Sequence, residues 1–258
     1  MSRSPLYELH RQLGATFGDS SGWETARAFQ GLEAEYAAAR NAVALTELGV
    51  QLSQNAVSHW TDDPAATRKE ADRLIAGALA VAPFDPEVLA AAGTVAAMSH
   101  RPDEAIRHLE LSIQHDPNNA HALAMMGLQI CLRRNDPSGV DLIELAEARA
   151  PHHPRFGLWA SYRGYSHLLM LDHEAAALAC RQAVDRTPNY YQPHLSLAWA
   201  LTGLGEPEAA IASAARAQAL EGREIVSKFV RESTMWVANS PNAKPCAAVL
   251  AELAMLAD

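Results

Sequence analysis

The sequence predicts an all-α chain built from repeated helical hairpins. Three observations carry that expectation. Pro83, Pro117 and Pro151 each close a helical stretch at intervals of 34 residues, and Pro188 follows 37 residues later, the extra three falling in "HHPRF". Small and apolar residues keep the same step in several columns, which chance does not readily produce. Finally, alanine is abundant while aromatic residues make up only 6% of the chain, a balance that favours close-packed helices over a sheet-rich core.

The columns have a coherent physical meaning. Gly93, Gly127 and Gly164 recur in the first helix of successive units, and Ala71, Ala105, Gly139, Ala176 and Ala210 recur early in the second. Small residues at both places let two antiparallel helices approach closely. A larger residue follows one turn later in Ile75, Leu109 and Ile143, continued by Cys180 and Ala214, and a small one again at Ala78, Ser112, Ala146, Ala183 and Ala217. Proline then ends the second helix, because its ring cannot continue the hydrogen-bond ladder. The linkers "HRPDEA", "RNDPSG" and "LGEPEA" put Pro or Gly with acidic residues where each second helix begins, at the positive end of its dipole.

Taken in order, residues 1–50 read as an N-terminal helical cap or docking segment. Ser4 caps a helix beginning at Pro5, and Gly14 ends it. Leu6, Leu9 and Leu13 share one face, a Gly/Asp/Ser turn follows, and Trp23 pins it. Phe29, Leu32, Tyr36 and Val43 then continue at helical spacing toward the first hairpin. Residues 51–222 form the repeat array. Residues 223–258 supply two capping helices, "REIVSKFVRESTMWV" and "CAAVLAELAMLAD", separated by the turn "NSPNAKP". End units of a solenoid are expected to be atypical, since one of their faces meets no neighbour.

The stretch "DPEVLAAAGTVAAMSHRPDEAIRHLELSIQHDPNNA" resembles a tetratricopeptide repeat (TPR), and the similarity extends from about Ser53 to about Glu221. The resemblance implies a right-handed superhelix whose concave face is lined by the first helix of each unit. It also implies which positions face that groove: Glu87, Ala90, Thr94 and Ala97; His121, Ala124, Leu128 and Leu132; Leu158, Ser161, Tyr165 and Leu168; Gln192, Leu195, Trp199 and Thr202. The Lys, Arg and Asn set with which related domains clamp a chaperone tail is missing from these positions. An apolar groove instead suits an amphipathic helix or hydrophobic peptide, with Leu128, Tyr165, Leu168, Leu195 and Trp199 as partner-binding residues. The same stripe equally suits a seat for the chain's own capping helices, which would make the chain a self-contained or autoinhibited regulatory module.

The opening "SPLYELHRQLGATFGDSSGWE" with "LEAEYAAARNAVALTELG" is similar to the extreme N-terminus of the aminomethyltransferase (glycine-cleavage T-protein) family. Pro5, Leu6, Tyr7, His10, Gly14, Ala15, Gly22, Trp23, Glu35, Tyr36 and Arg40 carry the likeness. It stops before that family's strands and catalytic aspartate, so what it implies is a docking or capping element, and as an alternative function an accessory subunit of a folate-dependent one-carbon enzyme.

Composition excludes several other classes. A net charge of −9 offers no clustered cations for nucleic acid or anionic lipid. No stretch approaches the roughly 18 consecutive apolar residues of a membrane span, and the start lacks an apolar leader, so a cytoplasmic protein is expected. Cys131, Cys180 and Cys246 show no paired spacing and read as reduced thiols. Of the eleven histidines, His108, His115, His121, His152 and His153 fall in or near the array without metal-ligand spacing, so no metal or other cofactor is expected. "GDSSG" matches the G-x-S-x-G pattern around Ser20, but a nucleophile elbow needs a strand before it and a helix after it. A turn accounts for the same residues. The expected function is therefore a non-catalytic scaffold or adaptor with a protein or peptide partner.

Overall fold

The computed structural model describes residues 2–3, 15–20, 23–29, 32–57, 61–238 and 240–257. Short strands β1 (Ser2–Arg3), β2 (Ala15–Ser20) and β3 (Trp23–Phe29) come first. Twelve helices follow among the described residues: α1 (Leu32–Val57), α2 (Pro64–Val81), α3 (Pro86–Met98), α4 (Pro102–His115), α5 (Ala120–Arg134), α6 (Ser138–Arg149), α7 (Phe156–Leu169), α8 (His173–Arg186), α9 (Tyr191–Gly203), α10 (Pro207–Glu221), α11 (Ile225–Val237) and α12 (Ala243–Ala257).

The beginning of the chain differs from the sequence expectation. β2 and β3 pair antiparallel, with Ser20 opposite Trp23 and Ala15 opposite Phe29, and β1 joins β3 in parallel to give the order β1-β3-β2. Phe29 thus closes a strand, and the helix containing Leu32 starts afresh after it. Only two residues connect Ser20 to Trp23, the second of them Gly22, and a two-residue connection containing glycine is a hairpin signal that here prevails over helical spacing. Because β2 runs into another strand, the strand-to-helix turn required of a serine nucleophile is not built around Ser20. The expected helix from Pro5 to Leu13 lies outside the described residues.

From α1 to α10 the chain is five antiparallel hairpins stacked in sequence order. Their starts are fixed locally. Asp63, Asp85, Asn119 and Asp172 each accept a hydrogen bond from a backbone N–H in the first turn of the following helix. Pro64, Pro86, Pro102 and Pro207 occupy first helical positions, where the missing N–H costs nothing. The turns inside hairpins also repeat: His100, Asn135, Leu171 and Gly205 all have positive φ, at 58°, 52°, 63° and 73°. Leu171 is the residue least suited to that region.

The small-residue columns lie where the helices cross. A Cβ placed on Gly127 would collide with the Gly139 carbonyl oxygen, and one on Gly139 with the Gly127 oxygen. Here α5 and α6 touch backbone to backbone. Gly93 meets Leu109 and Gly164 meets the Cys180 sulfur in the same way. Ala71, Ala105, Ala176 and Ala210 are fully buried, as are Ala78, Ser112, Ala146, Ala183 and Ala217. Gly49 faces Ala71 and Ile75 just as Gly93 faces Ala105 and Leu109. α1, which runs unbroken through position 50, is therefore the first helix of the first hairpin.

The last two helices interrupt the stacking order. α12, the second of them, packs on α9 and α10 and closes the array. Leu250, Leu253 and Cys246 are fully buried there, and Asn242 Nδ2 donates to the Leu169 carbonyl at 2.8 Å. α11, the first of the pair, is displaced inward to the concave side.

Candidate functional site

The inner helices α3, α5, α7 and α9 present their concave faces to a common space, closed on one side by the end of α1 and on the other by α11. It holds a cavity of about 120 Å³. Its walls are mostly apolar, formed by Met98, Met125, Leu128, Leu132, Tyr162 and Tyr165 from the array and by Phe229 and Trp236 from α11, with Gln54, Gln192 and Lys228 as polar edges. An apolar cavity of ~150 Å³ accommodates a benzene ring. At about 120 Å³ the space is somewhat smaller, on the scale of a single aliphatic side chain.

The curvature of the array brings α1 round to α9. Gln54 Nε2 reaches the Tyr190 hydroxyl at 3.5 Å, a contact between residues 136 apart in the chain, and Tyr190 donates in turn to Gln192. Arg155, just before α7, lies 3.4 Å from Glu47 of α1.

Of the five residues expected to bind a partner, Leu128 and Tyr165 line the cavity. Leu168, Leu195 and Trp199 are fully buried behind it. Trp199 sits edge-on to Tyr165 with ring centroids 5.6 Å apart and edge-on to Phe229 at 6.4 Å. α11 therefore covers the aromatic end of the stripe. The Trp199 indole N–H is buried without a hydrogen-bond partner. The Tyr165 hydroxyl, by contrast, faces Ser233 of α11, and burial pushes its pKa well above the usual phenol range.

Sequence reasoning missed a second row of lining residues. Met98, Met125, Tyr162 and Ser196 each stand one position beyond the expected Ala97, Ala124, Ser161 and Leu195. One residue is about 100° around a helix, so the lining band spans two adjacent rows of each inner helix. Two large methionines directly following small residues were the available signal.

His121, expected at the groove, has another role. It is only 6% exposed and links three consecutive inner helices. Trp159 Nε1 of α7 donates to its Nδ1 at 3.3 Å, and its Nε2 lies 3.0 Å from the Thr94 hydroxyl of α3. Thr94 donates to the Ala90 carbonyl, leaving its oxygen free to accept from Nε2–H. A donor at Nδ1 and an acceptor at Nε2 fix the neutral imidazole in a single tautomer. Burial depresses its pKa to about 3, with Arg155 and His153 adding repulsion. His153 stacks on Trp159 at 4.8 Å.

Among the described residues no group of three or more His, Cys, Asp or Glu side chains is arranged to hold a metal ion. Cys131, Cys180 and Cys246 are buried free thiols, with burial pushing Cys180 up to about 12 and Cys246 up to about 11. That is the opposite of an activated nucleophile. Among the described residues no helix is long and apolar enough to cross a membrane.

Solved structures with the same arrangement are helical-repeat proteins. A thermophilic TPR protein from Thermus thermophilus superposes with a TM-score of 0.58 at 18% identity, covering 75% of this chain and 97% of that one. The fold is a tetratricopeptide-repeat superhelix. PilF from Pseudomonas aeruginosa superposes on this TPR array with a TM-score of 0.56 at 16% identity, covering 85% of this chain and 93% of that one. No protein-family model and no curated protein matches the sequence. The likeness of residues 5–40 to the aminomethyltransferase family therefore rests on those residues alone.

Proposed function

We propose that this TPR chain is a non-catalytic cytoplasmic scaffold that binds a peptide or helix of a protein partner along its concave face. The observation that carries this reading is the cavity between α11 and the inner helices, apolar-walled and sized for a single anchoring side chain. Leu128 and Tyr165 would form its direct contact surface, and Leu168, Leu195 and Trp199 the floor that holds Tyr165 in place. Interfaces of this kind draw most of their affinity from one or two such anchors, with the surrounding polar edge supplying register.

The test is affinity capture from the native lysate, comparing the unaltered chain with a Leu128→Arg/Tyr165→Ala variant of unchanged helical circular dichroism. A protein recovered only by the unaltered chain supports the reading. Loss of a hot spot worth ~2 kcal/mol weakens binding roughly 30-fold, enough to remove that protein from the capture. Identical captures would move the interaction away from the groove.

A further inference from the structure

The final helical pair divides its work unevenly. α12 packs on α9, α10 and α11, and Asn242 and Cys246 tie its start to the carbonyls of Leu169 and Leu168 on α7. α11 is seated on the concave side instead. It lies in the groove as a ligand would, with Ile225, Phe229, Ser233 and Val237 at intervals of four forming one buried stripe. Phe229 meets Trp199 on α9, Ser233 meets Tyr165 on α7, and Trp236 meets His100 in the turn after α3, with ring centroids 5.1 Å apart.

Two features set this seating apart. Gly222, between α10 and α11, has φ +92°, a conformation that glycine adopts without penalty, with open space around the position of a side chain. The buried Trp199 N–H is also left unpartnered beneath α11.

We propose that α11 is an internal occupant of the groove, displaced by a partner helix of the same chemistry. Such a helix is amphipathic, with large apolar residues four apart, an aromatic at the place of Phe229, and a hydroxyl one turn further on facing Tyr165. This rests on the groove reading above and adds what the partner looks like and what it competes with.

The probe is a fluorescently labelled synthetic peptide, REIVSKFVRESTMWVA, tested against the full chain and against its Phe229→Ala variant. The variant binds the peptide at least tenfold more tightly than the unaltered chain, and a peptide with alanine in place of its phenylalanine binds neither. Hydrogen exchange on the unaltered chain, which needs no variant to fold, shows α11 amides exchanging at least tenfold faster than those of the central turns of α12. Equal peptide affinity for both chains, binding to neither, or α11 protected as strongly as α12 overturns the proposal. If it is overturned while lysate capture still depends on Leu128 and Tyr165, the groove remains a receptor with α11 as a fixed wall. If peptide exchange is seen but capture is independent of those residues, the scaffold reading fails and α11 exchange stands.

Discussion

Lowering the pH from 7 to 5 should destabilise this protein through His121 in particular. A proton arriving at Nδ1 would face the Trp159 N–H, setting two donors against each other inside a closed core. The folded-state pKa is about 3, against roughly 6.5 for a free histidine. Because the folded value is the lower, the unfolded chain binds the proton first. The contribution is fully present above about pH 6.5 and is lost as pH falls toward 3. At pH 5 the deficit is roughly 1.5 pH units below the unfolded pKa, at about 1.4 kcal/mol each, or about 2 kcal/mol. Other histidines shift in the same direction, since burial also lowers His108, His167 and His173. Urea unfolding of the unaltered chain and of His121→Gln at both pH values separates them. The variant is weaker at pH 7 but loses about 2 kcal/mol less between pH 7 and 5. Parallel losses in the two proteins would refute the assignment of a single locked tautomer to His121.

Two further predictions concern helix contacts, one within a hairpin and one between hairpins. Gly127→Ala gains about 1 kcal/mol of helix propensity, yet its methyl group collides with the Gly139 backbone. Thermal unfolding should show net destabilisation of ~2 kcal/mol or more, and a rise in midpoint would show that α5 and α6 can separate freely. Arg163 of α7 pairs with Glu147 of α6 at 3.2 Å, both side chains nearly buried, and burial outweighs the arginine in raising the Glu147 pKa. Arg163→Met should therefore cost about 3 kcal/mol at neutral pH, while Arg163→Met/Glu147→Leu recovers most of it. Equal losses in the single and double variants would show that packing of the arginine stem, not the stranded carboxylate, sets the cost.

Each hairpin was legible because its information is local. Glycine or alanine at the crossing, a larger residue one turn later and proline at the end all describe contacts between helices adjacent in sequence, so a 34-residue period reports them directly. The first hairpin was harder to read, since Gly49 stands outside the period and a longer connection separates α1 from α2. At residues 15–29 the local signal was double: helical spacing at Phe29 competed with a two-residue glycine-containing turn, and strand pairing prevailed.

The groove is a different kind of object. The resemblance to tetratricopeptide repeats marked its inner-facing helices and several lining residues, including Leu128 and Tyr165. Which apolar positions stay open depends on curvature accumulated over five hairpins, and that curvature sets Gln54 beside Tyr190. It also depends on the order of the final pair. Both closing helices carry an apolar stripe able to cover the array, and only their packing assigns α12 to the end and α11 to the interior. The sequence by itself thus determined the repeat, the hairpins and the contacts between neighbouring helices. Tertiary structure decided the His121 link across three units, the burial of Trp199 and the occupant of the concave face, because those contacts join segments far apart in the chain, where periodicity carries no information about who meets whom.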